Sequence, residues 1–188
     1  MRTTGAGQSA LLLLDVVELL DDEKVDYAVV GAMAASVHGV VRASFDADAV
    51  LMLTVQQAPE LEKKLILAGF KTQLRRGDAT DPIPALLSLT DAFRNRVDLL
   101  VGLRGLEADA FSRATVVPFK GGALRVIGRE DFIAMKVFAG GPQDLADAAA
   151  AFAAAPESLD MPLLRRLATR YGRDALLALE KLLVGRPA

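Results

Sequence analysis

Three aspartates stand where a folded chain least tolerates them. Asp46 and Asp48 open the run "DADAVLML" (Asp46–Leu53), and Asp98 interrupts the apolar segment "RVDLLVGL" (Arg96–Leu103). Side chains two apart in a strand point the same way, so Asp46 and Asp48 would stand side by side. Like charges that close repel and raise each other's pKa unless a cation neutralises them. A carboxylate inside an apolar strand is costly to desolvate unless it is paired or metal-bound. If the two strands are neighbours, three hard oxygen donors converge on one edge of the sheet. That donor set suits Mg²⁺ or Mn²⁺, which keep several waters and bridge substrate phosphates. A pair of such ions can orient a nucleophile and stabilise the leaving oxygen of a nucleotide. The bare Asp-x-Asp pattern is weak, because 16 aspartates in 188 residues give roughly one such pair by chance. Its bland alternative is a pair of aspartates splayed into solvent at a strand end.

The elements that must position these residues are legible from hydrophobic period and turn residues. "YAVVG" (Tyr27–Gly31) reads as a buried strand ending at a glycine, and "AMAASVH" (Ala32–His38) as a short helix closed by Gly39. At such a strand-to-helix turn a backbone amide and a helix N-terminus can face a phosphate. A glycine that merely permits a tight turn is the better explanation of Gly31 from this feature alone. A helix is predicted over Ser9–Leu20, and another over "APELEKKLILAGF", with Pro59 in its first turn and Gly69 near its end. Phe70–Leu74 reads as a strand, followed by the turn-rich "RRGDATDPIP". "ATVVPFKGGALRVIG" reads as a hairpin across Gly121–Gly122. From Arg129 onward the period is helical: Glu130–Ala139, Gln143–Ala155, and one or two helices between Met161 and Leu183. The expected fold class is therefore α+β, a mixed β-sheet flanked by helices with a C-terminal helical layer. Its expected division is a core over 1–128 and a helical segment over 129–188, packed together as one unit.

Composition narrows the functions available. With 52% hydrophobic residues the chain can build a sizeable core, and a net charge of -2 gives no global pull toward nucleic acid or membrane. Arg75–Arg76, Arg94 with Arg96, and Arg165–Arg166 with Arg170 are the local basic clusters on which any RNA contact would have to rely, and a solvated helix face or loop is the blander reading of each. The absence of cysteine excludes disulfides, thiolate metal sites and cysteine catalysis. His38 is the one histidine, so no histidine metal cluster can form; before Gly39 it reads as a packed or capping residue. The N-terminal apolar run breaks at Asp15 and Glu18 and reads as an amphipathic helix, not a signal peptide. No stretch approaches the roughly 20 apolar residues of a membrane span, and a cytoplasmic location is expected.

"YAVVGAMAASVHGVVRASFDADAVLML" resembles the signature of the DNA polymerase β-type nucleotidyltransferase superfamily: strand, small-residue turn, short helix, then Asp-x-Asp opening the next strand. The helix ending in His-Gly, followed by Arg-x-Ser-x-Asp-x-Asp, is similar to the abortive-infection (AbiEii-type) toxin nucleotidyltransferases and their relatives. "RVDLLVGL" resembles the strand of the third carboxylate, and "VIGREDFIAMKVFAGGPQDLADAAAAF" a downstream lysine helix followed by an Asp-x-x-Asp helix. The likeness runs from Val25 to Phe152, with four separated motifs in the right order. It implies a nucleotidyltransferase-like fold, a nucleoside triphosphate as substrate, and Mg²⁺ or Mn²⁺ as cofactor. Asp46, Asp48 and Asp98 would bind the metals, and Asp98 would also help activate the acceptor hydroxyl. Gly31 would let the triphosphate approach the backbone, while Arg42 and Lys136 would neutralise phosphate charge. Asp144 and Asp147, at i and i+3 on one helix face, would line the rear of the cleft. The acceptor would be an RNA, protein or small-molecule hydroxyl, and an antitoxin would be a partner. Ala32 departs from the pattern, since the family carries Gly or Ser there and a side-chain hydroxyl toward a phosphate is missing. The alternative this departure favours is a catalytically weak or inactive member that serves as a nucleotide-binding or partner module.

Overall fold

The computed structural model describes residues 1–40, 44–78 and 80–184. Seven strands form one sheet: β1 (Tyr27–Val30), β2 (Asp46–Leu51), β3 (Lys71–Arg76), β4 (Ala85–Thr90), β5 (Arg96–Val101), β6 (Thr115–Phe119) and β7 (Gly122–Val126). Their order across the sheet is β3-β4-β5-β2-β1-β7-β6. β2 runs parallel to β5 and β1 parallel to β7, and the other neighbours are antiparallel. The helices are α1 (Ser9–Asp22), α2 (Gly31–Val37), α3 (Ala58–Leu67), α4 (Asp109–Ser112), α5 (Arg129–Ala139), α6 (Pro142–Ala154), α7 (Met161–Tyr171) and α8 (Arg173–Val184). The fold is α+β, as the alternation of strand and helix periods predicts.

Strand alternation separates the sheet into an apolar face and a polar one. Ala47, Ala49 and Leu51 of β2, Val97, Leu99 and Val101 of β5, and Ala85, Leu87 and Leu89 of β4 are all buried. α1 packs across β5 and β2 with Leu12, Leu13, Val16, Val17 and Leu20, and α3 packs across β3 and β4 with Leu61 and Leu65. Each large aliphatic side chain buried this way stabilises the fold by about 1.5–3 kcal/mol before entropy is counted. The intervening residues, Asp46, Asp48, Arg96 and Asp98 among them, point to the other face.

β4 is a strand that the turn-rich run before it obscures. Pro82 and Pro84 stop immediately ahead of "ALLSLT", whose alternate residues are buried in the interior of the sheet. The hairpin forms one residue earlier than its two glycines suggest. Phe119 pairs with Gly122, so Lys120 and Gly121 make the turn, both with positive φ (46° and 82°) as a type I′ turn demands.

The last third is helical throughout its described residues, apart from short connectors. α5 sits at its centre, packed against α6, α7 and α8 through a buried face of Phe132, Ile133, Ala134 and Val137. It ends at Gly140 in the left-handed conformation, and Pro142 opens the next helix. Gly172 separates α7 from α8, so the segment Met161–Leu183 is two helices. Polar ties join this layer to the sheet. Arg113 donates two hydrogen bonds to buried Asp131 (2.8 and 2.7 Å), and Arg166 pairs with Glu107 at 2.7 Å. Among the described residues no helix is long and apolar enough to cross a membrane.

Candidate active site

The parallel pairing of β2 with β5 sets the geometry of the site. Its register places Asp48 opposite Asp98 and Asp46 opposite Arg96. One carboxylate oxygen from each of Asp46, Asp48 and Asp98 lies within 4.8 Å of the other two. The leading ends of the two strands are held together by one side chain of α1. Ser9 Oγ donates to the carbonyl of Phe45 and accepts from the amide of Arg96 (2.5 and 3.0 Å). A one-residue slip of either strand would turn its carboxylates into the apolar face, so this clamp and the buried alternation together specify the register.

Electrostatics make the cluster unstable by itself. Arg96 donates to both oxygens of Asp98, Nε at 2.9 Å and Nη2 at 2.8 Å, and Ser44 Oγ donates to Asp46 at 2.6 Å. Asp48 accepts no hydrogen bond among the described residues. Burial, then repulsion from Asp46 and Asp98, pushes its pKa up to about 6, against the pull of Lys136 and Arg96. Three carboxylates with one arginine between them are a hard-oxygen donor set with charge left over. That set fits a divalent cation.

Gly31 is required by this cluster as much as by the turn. It opens α2 at φ +63°, and a Cβ there would lie 2.1 Å from Asp48 Oδ2. Only a residue without a side chain lets the carboxylate stand against the backbone. Ala32 follows, buried in the first turn of α2, and with Ser36, Ser44 and Asp46 it lines a cavity of about 120 Å³. Arg42 lies outside the described residues.

Lys136 comes from the opposite wall. Its ammonium donates to Asp144 Oδ1 at 2.7 Å and lies 3.0 Å from Asp147 Oδ2, while its charge also reaches Asp48. Asp144 and Asp147 share a face of α6, and Asp147 is fully buried. His38 is a packed residue. Its Nε2 donates to the carbonyl of Ile127 at 2.8 Å, its ring lies 5.3 Å from that of Phe132, and burial lowers its pKa.

Arg96, Ser9 and Ser44 are site residues that inspection of the sequence does not single out as such. Arg96 stands two before Asp98 in a strand, the spacing that brings side chains to one face. That spacing was the available signal. No comparable signal marks Ser9, whose role depends on a helix terminus meeting two strand ends.

The fold matches solved nucleotidyltransferase structures. An antigenic nucleotidyltransferase-like protein from Paracoccidioides brasiliensis superposes with a TM-score of 0.61 at 16% identity, covering 98% of this chain and 92% of that one. The antibiotic-resistance factor ANT(2″)-Ia, solved with adenylyl-2″-tobramycin, superposes with a TM-score of 0.57 at 15% identity, covering 86% and 98%. The Megavirus polyadenylate synthase gives 0.51 at 10% identity, covering 81% of this chain and 32% of the synthase. No family model matches the sequence, and no curated protein matches it.

Proposed function

We propose that this chain transfers a nucleoside monophosphate from a nucleoside triphosphate to an acceptor hydroxyl. The observation that carries this reading is the register of β2 on β5, which gathers Asp46, Asp48 and Asp98 within 4.8 Å beside the glycine turn. These three side chains would hold Mg²⁺ or Mn²⁺. The cation, when bound, supplies charge neutralisation for the carboxylates and for the triphosphate.

The chain's own groups supply positioning and proton transfer. The Gly31 turn lets the triphosphate approach backbone amides that no Cβ shields. Lys136, held by Asp144 and Asp147, adds positive charge on the wall facing Asp48. Arg42 adds phosphate-neutralising charge in this reading. The acceptor oxygen bonds to the α-phosphorus as the bond from that phosphorus to the αβ-bridging oxygen breaks. Pyrophosphate leaves with that electron pair, and the acceptor's hydroxyl proton passes to the Asp98 carboxylate. Arg96 holds both oxygens of Asp98 in place, and each keeps a further lone pair for the cation or the proton.

Ala32 tunes the site downward. A hydroxyl-to-phosphate hydrogen bond is worth about 1.5–3 kcal/mol, so its absence weakens nucleotide handling by roughly one to two orders of magnitude. Calorimetric titration with each nucleoside triphosphate and Mg²⁺ tests the reading, followed by transfer of labelled nucleotide to total RNA, to the protein itself and to small molecules. Binding that disappears in Asp48→Asn is expected. If the unaltered chain binds no nucleotide at millimolar concentration, transfer is refuted and a partner module takes its place. The AbiEii-type resemblance adds an antitoxin partner, for which growth arrest on expression, relieved by a co-expressed neighbouring gene, is the expected result.

A further inference from the structure

The polar face of the sheet does not stop at the aspartates. Register carries it outward, because Asp98 pairs with Ser88, Arg96 with Thr90, Ser88 with Gln73 and Thr90 with Lys71. Lys71, Gln73 and Arg75 of β3 therefore share one face with Ser88 and Thr90 of β4 and with Arg96 and Asp98 of β5. Together these strands line an open cavity of about 460 Å³ that begins at Arg96, beside the carboxylates. Lys71, Gln73 and Arg75 are exposed, and neither cation has a carboxylate partner among the described residues.

We infer that this shelf is the acceptor subsite of the proposed transfer, and that its chemistry selects an acceptor bearing phosphate and rejects a polycation. The inference rests on the nucleotidyl-transfer reading. Three features carry it. The shelf abuts the triad without overlapping the Gly31 turn, so an acceptor lying on it presents a hydroxyl from the side opposite the triphosphate. Its charged groups are Lys71, Arg75 and Arg96, all cationic, with serine, threonine and glutamine hydrogen-bonding groups between them. Lys71 and Arg75 stand four residues apart, about 13 Å along the strand, which suits two separated phosphates better than one compact anion. Among the described residues no aromatic side chain lines the shelf, so it grips phosphate and not base.

Arg96 is the hinge of this arrangement. It holds Asp98 with two hydrogen bonds while its Nη2 already lies 3.4 Å from Ser88 Oγ on the shelf. A phosphate arriving there competes with Asp98 for the guanidinium, so acceptor binding and the pairing of that carboxylate are coupled. An aminoglycoside such as tobramycin, whose adenylylated form was solved with ANT(2″)-Ia, would instead meet like charge at Lys71 and Arg75. An edge strand also carries lysine and arginine simply to block strand addition, and charge reversal separates the two roles because it keeps the edge protected.

The test uses the full chain with Lys71→Glu plus Arg75→Glu, and with the neutral Lys71→Gln plus Arg75→Gln as a milder partner. A short fluorescent oligoribonucleotide and a sugar phosphate serve as anionic acceptors, and tobramycin as the cationic one. Anisotropy and calorimetry read acceptor binding without nucleotide, label transfer reads KM and kcat, and calorimetry reads nucleotide affinity separately. We expect an anionic acceptor to take the label, with its KM raised about tenfold or more by charge reversal and less by neutralisation. Nucleotide affinity and kcat should stay close to those of the unaltered chain. The oligoribonucleotide arm and the sugar-phosphate arm decide which source of phosphate the shelf serves. Preference for tobramycin, failure of both anionic probes to bind, or an acceptor KM indifferent to charge reversal overturns the inference. A fall in nucleotide affinity in the charge-reversed chain does so too, by making the shelf a triphosphate site. Absence of nucleotide binding in the unaltered chain refutes the transfer itself and is read independently of the acceptor arms.

Discussion

Two groups of carboxylates lie within reach of Lys136, and they are balanced in opposite ways. In the helical layer, Asp144 and fully buried Asp147 share the lysine ammonium at 2.7 and 3.0 Å, and Gln143 donates to Asp147 at 2.8 Å. On the sheet, Asp46, Asp48 and Asp98 have Arg96 as their close cation, and it is spent on Asp98. The helical group also keeps one negative charge over, yet both of its carboxylates lie within 3.0 Å of the ammonium and Asp147 accepts a further hydrogen bond from Gln143. The sheet group is left with repulsion that a ligand can relieve. A carboxylate left against like charges on rigid strands marks a binding site, whereas carboxylates gathered on a lysine at hydrogen-bond distance mark structure.

The largest expected effect breaks the balanced group. Lys136→Met removes the ammonium that buried Asp147 shares with Asp144, and should cost about 3–5 kcal/mol in urea unfolding. A change below about 1 kcal/mol would mean that the lysine is not needed there and is free for phosphate.

Gly31→Ala attacks the other group through its backbone. Strain at φ +63° and the 2.1 Å approach to Asp48 Oδ2 should together cost about 3 kcal/mol. Displacement of Asp48 should also abolish stabilisation by Mg²⁺ plus nucleotide. An alanine variant with unchanged melting temperature and unchanged ligand response would show that Asp48 does not depend on this glycine.

Asp48→Asn sharpens the contrast by acting in the stabilising direction. A folded pKa raised from 3.8 to about 6 means that the native state holds its proton more tightly than the unfolded chain does. Stability of the metal-free protein therefore falls as pH rises through about 6, and it is recovered on acidification toward 4. The full difference corresponds to roughly 3 kcal/mol, and solvent screening at this partly open site leaves about 2. Asp48→Asn should regain that amount at pH near 8 and flatten the pH dependence between the two values. It should also lose all stabilisation by Mg²⁺ plus nucleotide. Loss of stability in this variant would make Asp48 a structural hydrogen-bonding residue.

The smallest effect is expected at the exposed pair Arg165–Glu180, where Arg165 Nε lies 2.8 Å from the carboxylate. Arg165→Ala should leave the melting temperature within error, because solvent screens such pairs. A clear loss would show that the packing of α7 on α8 depends on charge more than on Leu164, Leu167 and Leu179.

Much of the fold is readable from local pattern because its elements obey local rules. β1 and β5 are short β-branched or leucine-rich runs, α1 and α5 repeat apolar residues at helical period, and glycine and proline punctuate their ends. β4 escapes because its six residues follow a proline-rich turn and carry Ser88 in mid-strand; only pairing with Asp98 on one side and Gln73 on the other explains that serine. The hairpin is visible as glycines, yet its one-residue offset depends on the twist of the paired strands, which favours positive φ at Lys120 as well as Gly121.

The chemistry of the candidate site follows the same division. Residue type and two-residue spacing by themselves determine that Asp46 and Asp48 share a face and that Asp98 needs a cation, because strand alternation is local and the cost of burying charge is general. The same logic determines that no thiolate or histidine cluster can form. The tertiary structure alone decides that β5 lies beside β2 in a register that sets Asp98 against Asp48. It alone decides that Arg96 closes on Asp98, and that Lys136 is held by Asp144 and Asp147. These depend on which strands become neighbours and which helix crosses them, and such long-range choices are settled by packing the whole apolar face at once.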